Sequence, residues 1–430
     1  MKLRKEKKQN NDEKNISVET DDIELNESEK NNKKRKKTSF NMLEVIILMT
    51  ITVLFGLFIG SVVTYFAARG GFNDYSKDLK ALIATYEDVV NNYYGEIDSE
   101  KLLESGVRGM ITYLGDPYSS YMDSDTAEEF NERLEGEYIG LGAEILYNTK
   151  EGTLKVNKVF EDSPAAKSNL KEGDLILKVE GKDIKDLELE QITEIIKTGK
   201  VGTTVKLDVK REDKDIVVEF TRGTVELTSV IGEIIEKDDK KVGLITIEIF
   251  AKNSYEQFKR VVENLKEQGI THLIIDVRDN TGGYLTTVKS IAEMFLDKKD
   301  VIFIIEDKNG TEKQLASKKK SIELPTVMLV NGGSASASEV LAAALSENLG
   351  IDLVGTKTYG KGSVQQTKIL SSGATIKYTT QKWLTPSGKS IDGEGITPTI
   401  EVKLEKEYYE NPSREKDLQL QKAIEEVIKK

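Results

Sequence analysis

Apolar positions change their period several times along this 430-residue chain, and each change marks a different kind of element. Residues 1–41 are polar and charged, with no apolar periodicity. Such a segment cannot bury enough apolar surface to offset its ordering entropy, so it is expected to be disordered. Residues 45–68 carry no charge and are dominated by Ile, Leu, Val and Phe. About twenty apolar residues suffice to cross a bilayer as a helix, so residues 42–68 are expected to form one transmembrane helix.

Helical spacing follows. Leu79, Leu82, Ile83, Tyr86, Val89 and Val90 fall on one helix face, Gly115-Asp116-Pro117 marks a turn, and residues 125–134 suggest a further helix. Residues 72–136 therefore read as a helical lead-in domain. Over residues 137–222 the pattern shortens to strands at 137–146, 153–159, 174–179, 204–211 and 216–220, with one helix at 189–198. Over residues 223–410 strands and helices alternate. Residues 273–275 and 327–330 are apolar on both faces, as buried parallel strands must be. Residues 411–430 end in a short amphipathic helix. The expected fold class is multi-domain α+β: an N-terminal transmembrane helix, a helical lead-in, a β-rich domain and an α/β core.

Charge gives the apolar run a direction. Lys33-Lys34-Arg35-Lys36-Lys37 precedes it, and Arg69 alone lies just after. Basic residues favour the cytoplasmic side, so the N-terminus is expected in the cytoplasm and residues 70–430 outside it, on a single-pass protein of the cell membrane. Tyr65-Phe66-Ala67-Ala68 offers no small-x-small cleavage site, which favours an uncleaved anchor. The net charge of −12 argues against nucleic acid as a partner. With no cysteine and one histidine, His272, thiol catalysis, disulfides and multi-His metal sites are excluded, and a Ser-His-Asp scheme would have to use His272. No metal and no cofactor is expected.

Three segments carry candidate chemistry. In Val327-Met-Leu-Val-Asn-Gly-Gly-Ser-Ala-Ser-Ala-Ser-Glu339 a buried strand runs through a Gly-rich turn into a helix. A serine there sits where free amides and the helix dipole favour developing negative charge. The same residue types also cap helices, and spacing does not choose among Ser334, Ser336 and Ser338. In the second segment, residues 355–361 match G-x-x-x-x-G-K, but Gly362 stands where a phosphate-binding loop needs Ser or Thr, and a strand follows instead of a helix. A lysine between two glycines has another use: packed in an apolar site it loses hydration, its pKa falls, and it can act as a base. The third segment, Ile274-Ile-Asp-Val-Arg-Asp-Asn-Thr-Gly-Gly-Tyr284, ends a strand in a glycine turn before a helix. His272 lies at the opposite end of that strand, so it reads as structural. Ser plus Lys is then the economical activated nucleophile.

Residues 137–222 resemble a PDZ domain through Ile139-Gly140-Leu141-Gly142, Ser163-Pro-Ala-Ala166, and Leu170-Lys-Glu-Gly-Asp-Leu-Ile-Leu177 followed by Glu180-Gly181. In such a domain an extended peptide pairs with a sheet edge and turn amides hold its carboxylate. Ile139, Gly140, Leu141 and Gly142 are the candidate peptide-binding residues. Residues 75–405 resemble the C-terminal processing peptidases, the tail-specific serine proteases of family S41. The likeness rests on Gly333-Ser-Ala-Ser-Ala-Ser-Glu339, Tyr359-Gly-Lys-Gly-Ser-Val-Gln365, Asp276-Val-Arg-Asp-Asn-Thr-Gly-Gly283, Tyr378-Thr-Thr-Gln-Lys-Trp-Leu-Thr-Pro-Ser-Gly388, Asp116-Pro-Tyr-Ser-Ser-Tyr121 and the inserted PDZ domain.

The resemblance implies Ser336 as nucleophile, Lys361 as its base and Gln365 as the residue orienting that lysine. The oxyanion hole would combine the Ala337 N–H with an N–H of Gly282 or Gly283. It implies a serine endopeptidase that processes exported or membrane proteins near their C-termini, on partners with flexible apolar tails. The N-terminal helices and the tail helix are candidate elements of a homodimer. The competing readings are a membrane-tethered PDZ scaffold with an inactive protease fold, and a hydrolase of non-peptide esters.

Overall fold

The computed structural model of the chain describes residues 41–70, 76–148 and 152–430, and in the first helix the side chains at 41–43 and 45–61. The polar tail expected over residues 1–41 lies, but for Asn41, outside them. The described residues fall into two compact units, those up to Tyr94 and those from Gly95 on. In the first, Met42–Gly70 is a continuous helix of 29 residues whose described side chains are all exposed. Among the described residues no helix is long and apolar enough to cross a membrane. The described side chains stop at Ser61, short of the end of the apolar run. The amphipathic helix Lys77–Asn92 completes the unit, with Ser76 Oγ accepting the Leu79 N–H at its start.

The second unit is organised around a six-stranded sheet. Its order is Val230–Lys237, Lys240–Ile247, His272–Asp276, Thr326–Val330, Asp352–Gly355 and Ile400–Glu401. The first pair is antiparallel and the rest are parallel. The central strands His272–Asp276 and Thr326–Val330 are buried along their whole length, which explains their unbroken apolar sequence. Successive side chains point to opposite faces. Ile275, Met328 and Leu353 join Phe258, Val288, Ile291 and Leu341 in one core, while Ile274, Val327 and Val354 pack with Leu420, Ala423 and Ile424 of the tail helix Leu418–Val427. Parallel strands place their carboxyl ends on one edge, where the loops 277–284 and 331–336 and the turn after Gly355 all emerge.

A second sheet contains Ser120–Met122, Val301–Asp307, Gly310–Leu315, Ser363–Ile369 and the long strand Thr375–Leu384. Here one expectation is corrected. The stretch 72–136 is not purely helical, because Ser120–Met122 pairs antiparallel with residues 375–377 and so supplies a strand beside the candidate base.

The β-rich domain has its own buried core of Leu154, Val156, Ile176, Leu207, Phe220 and their neighbours. Its sheet runs Ala143–Asn148, Thr153–Val159, Leu175–Val179, Thr204–Arg211 and Lys214–Thr221, with Lys182–Asp183 paired to Leu175–Val179. The segment expected as one strand over 137–146 is broken at Gly142, which takes φ +74° against Ser163. Its first half, Glu137–Gly140, pairs with Gly223–Glu226 instead, so the chain enters and leaves the domain through one short ladder.

Candidate active site

Ser336 is the residue before helix Ala337–Leu349 and takes φ 55°, a left-handed conformation rare for a residue with a Cβ. Burial separates it from its neighbours. Ser334 and Ser338 are fully buried, and their hydroxyls donate to the carbonyls of Val277 (2.7 Å) and Asn280 (2.8 Å). Ser336 is only partly buried. Of the three serines that spacing left open, the structure presents Ser336 at the turn.

The opposing wall is the glycine loop. Gly282 takes φ +107°, and a Cβ there would stand 2.9 Å from Ser336 Cβ and 3.1 Å from the Ala337 nitrogen. Only glycine allows the two loops this approach. Gly283 is fixed similarly, since a Cβ on it would lie 2.3 Å from the Phe250 carbonyl oxygen. The Ala337 N–H opens the helix and has no carbonyl one turn behind it within that helix. One assignment changes. The Gly282 N–H already donates to Asn280 Oδ1 at 2.8 Å, so it is not free to hold an oxyanion, which leaves Gly283 and Ala337 as candidate donors. Asn280 was not legible as a site residue. Fully buried, it ties both loops together: its Nδ2 donates to the Ile247 carbonyl at 2.7 Å and its own carbonyl accepts the Ala335 N–H at 3.0 Å.

Lys361 sits on a turn packed so closely that glycine is needed on both sides. A Cβ at 360 would meet the Gly395 nitrogen at 2.7 Å, and one at 362 would meet Asp392 at 2.8 Å. The buried indole of Trp383 donates to the Lys361 carbonyl at 2.9 Å. Burial lowers the Lys361 pKa, the charge of Lys377 lowers it further, and Asp116 and Glu339 pull the other way. Its Nζ lies 4.9 Å from the centre of the Tyr118 ring and donates no hydrogen bond to Ser336. Desolvation, with the Tyr359 hydroxyl beside it, pushes the Tyr118 hydroxyl up to about 12.

Gln365 stands on the adjoining strand but turns from the lysine. Its Nε2 donates to Ser363 Oγ (2.9 Å) and Thr379 Oγ1 (3.1 Å), so in this state it does not orient Lys361 by a hydrogen bond. Thr379 donates in turn to Asp116 at 2.6 Å.

The candidate peptide-binding residues also divide. Ile139 and Gly140 are paired with Thr224 and Gly223 in the hinge ladder, which removes them from the loop. Leu141 and Gly142 form the loop, with their carbonyls accepting from Ala165 N (2.7 Å) and Phe160 N (3.1 Å). Strand Ala143–Asn148 follows at the sheet edge, paired on one side only among the described strands. His272 is structural: buried far from the glycine loop, it contacts Thr271 and Lys240, and its pKa is lowered by burial and by the Lys240 charge. Among the described residues no cluster of His, Cys, Asp or Glu is arranged to hold a metal ion.

Comparison with known proteins agrees with this architecture. Residues 241–402 match the model for peptidase family S41, residues 138–221 that for a PDZ domain, and residues 64–126 the N-terminal domain of activating protease CtpB. The carboxy-terminal processing protease CtpA of Bacillus subtilis is 34% identical over 374 residues, covering 86% of this chain and 78% of that protein. The carboxy-terminal processing protease CtpB of the same organism is 36% identical over 332 residues, covering 76% and 68%. Among solved structures, the photosystem II D1 C-terminal processing protease superposes with a TM-score of 0.43 at 23% identity, covering 76% of this chain and 94% of that one.

Proposed function

The chain belongs to peptidase family S41, the carboxy-terminal processing serine proteases, and we propose that Ser336 and Lys361 form its catalytic pair. Neutral Lys361 takes the Ser336 proton, and Ser336 Oγ attacks the scissile carbonyl. The Ala337 and Gly283 amides hold the oxyanion, and Lys361 returns its proton to the leaving amine. Water then attacks the acyl-enzyme, with Lys361 again the base. The observation that carries this reading is a lysine whose pKa burial lowers, on a loop whose backbone N–H meets the same carboxylate oxygen as the N–H of a serine in a left-handed turn at a helix start. Gln365 joins the pair only once its side chain turns from Thr379 to Lys361.

The PDZ domain receives the substrate's apolar C-terminal tail along strand Ala143–Asn148, its carboxylate held at the Leu141–Gly142 loop. Among the described strands Ala143–Asn148 is the last of its sheet, which supports this, since strand addition needs such an edge. Residues 42–68 anchor the enzyme in the membrane, with the N-terminus in the cytoplasm and the protease outside. The uncharged run and the basic cluster before it support that orientation. The N-terminal helices and the tail helix are the candidate elements of a homodimer.

The test is cleavage of an unfolded protein bearing an apolar C-terminal tail, read by mass spectrometry, with wild type, Ser336→Ala and Lys361→Ala side by side. Cleavage by wild type alone supports the pair, and equal cleavage by all three refutes it. Alkaline extraction of cell membranes tests the anchor: release of the full chain into the supernatant would exclude it.

A further inference from the structure

Glu339 is fully buried, and the four groups that hydrogen-bond its carboxylate are all donors. Oε2 accepts the N–H of Ser336 and the N–H of Lys361, each at 2.9 Å. Oε1 accepts the Gly360 N–H at 2.7 Å and the Thr358 hydroxyl at 2.6 Å. The Thr358 oxygen already accepts the Ile396 N–H at 2.7 Å, so its own proton goes to Glu339. An ionised carboxylate accepts only, which suits this set of donors. A glutamate in a helix's first turn often reaches back to the amide at the helix start, and the Ser336 bond alone would be that ordinary cap. The other three donors come from the loop that follows strand Asp352–Gly355, and helix capping has no use for them.

We propose that Glu339 is a positioning residue for the reaction, a clamp that fixes the backbone of the nucleophile and the backbone of the base as one body. The inference rests on the Ser336–Lys361 reading and deepens it. One oxygen touches the amide of each residue, so the two main chains cannot separate without breaking a buried charge-assisted bond. What remains free is the Lys361 side chain, which points to Tyr118. Engagement of the pair is therefore a rotation of that side chain on a fixed frame. The charged and titratable groups acting on Lys361 are Lys377 on the neighbouring strand, Asp116 from the lead-in and Glu339 from the nucleophile helix, with Tyr118 under its Nζ; Tyr359 and Asp392 act in turn on Tyr118.

Glu339→Gln keeps the shape and turns one acceptor oxygen into a donor facing two donors. The full chain in detergent is assayed for casein cleavage and for the rate at which a fluorophosphonate phosphonylates Ser336, with fluoride leaving. Phosphonylation is expected to fall roughly 100-fold, the scale of an ångström's misplacement, with KM for casein moving less than about threefold. The pH midpoint of the residual rate should shift down, because a negative charge that raised the Lys361 proton affinity is gone. A folded Glu339→Gln protein with the wild-type labelling rate and pH midpoint overturns the proposal. If that variant does not fold, Thr358 decides: Thr358→Val should lose about tenfold, the scale of one charge-assisted hydrogen bond, while Thr358→Ser keeps the hydroxyl and the rate. Equal rates for the two overturn it. Lys361→Ala is run alongside. Wild-type labelling of that variant refutes the Ser–Lys reading itself, whereas its silence beside normal labelling of Glu339→Gln refutes the clamp alone.

Discussion

The Lys361 ammonium nitrogen lies 4.9 Å from the centre of the Tyr118 ring, on the side of the lead-in segment and away from any hydrogen bond to Ser336. A cation over an aromatic face is worth about 0.5–2 kcal/mol, depending on how dry the site is. That contact favours the charged, idle form of the base. Replacing Tyr118 with Leu removes it and leaves an apolar wall. Cleavage of casein without any added tail peptide is expected to rise about two- to thirtyfold in Tyr118→Leu, the factor such an energy represents. Initial rates against wild type check this, and a fall in the basal rate would show that the ring aligns the lysine instead of holding it back.

A second cation sets the working pH. The lowered pKa of Lys361 comes first from burial and then from Lys377, with Asp116 and Glu339 opposing. A general base works in its neutral form, so activity rises as pH climbs through the Lys361 pKa. Lys377→Met removes a positive charge that disfavours protonated Lys361, so that pKa rises and the ascending limb moves to higher pH. At a pH below the midpoint the rate should drop, since a smaller fraction of Lys361 is then neutral. A profile of kcat/KM from pH 6 to 10 reads the shift, and an unmoved limb would show that Lys377 does not act on the base.

What the sequence revealed divides along physical lines. The buried strands at 273–275 and 327–330 were legible because a strand covered on both faces must be apolar throughout. The glycines at 282, 283, 360 and 362 were legible as glycines, but each needs a neighbour distant in sequence to explain it: Ser336, Phe250, Gly395 and Asp392. Spacing did not choose among Ser334, Ser336 and Ser338; the family resemblance named Ser336, and the burial that separates the three is something spacing cannot encode. Glu339 and Asn280 passed as ordinary polar residues, because their partners come from other strands and loops. The strand Ser120–Met122 was hidden for the same reason, as three residues carry no period and its pairing partner lies some 250 residues on.

The glycine loop gives a prediction about rate alone. In Gly282→Ala the new Cβ would meet Ser336 Cβ at 2.9 Å and the Ala335 carbonyl oxygen at 3.0 Å, at a φ of +107° that side chains rarely adopt. The loop must back away from Ser336, carrying the Gly283 amide with it. Loss of one well-placed oxyanion donor costs about 100- to 1,000-fold in kcat. Gly282→Ala is expected to fall in that range with little change in KM, as measured on a fluorogenic peptide. A rise in KM at constant kcat would place the loop in substrate binding instead.

The last prediction concerns what holds the carboxyl edge of the sheet in place. Arg278 lies half-buried between the buried carboxylates of Asp276 and Asp417, with Nη2 at 2.7 Å from one and 2.9 Å from the other, and its Nη1 also reaches Gln419 at 3.1 Å. Burial works against its charge, but the two carboxylates outweigh it and hold its pKa above the usual arginine value. The ion cluster joins the strand end that leads into the glycine loop to the start of the tail helix Leu418–Val427. Arg278→Met would leave two buried carboxylates facing each other without a cation, a loss of about 3–5 kcal/mol. The triple variant Arg278→Met, Asp276→Asn and Asp417→Asn removes both orphaned charges and should recover most of that stability. Urea denaturation of the wild type and the two variants measures it. If the single variant is as stable as wild type, the tail helix is held by Leu420, Ala423 and Ile424 alone, and the ion cluster contributes nothing to the frame on which the site stands.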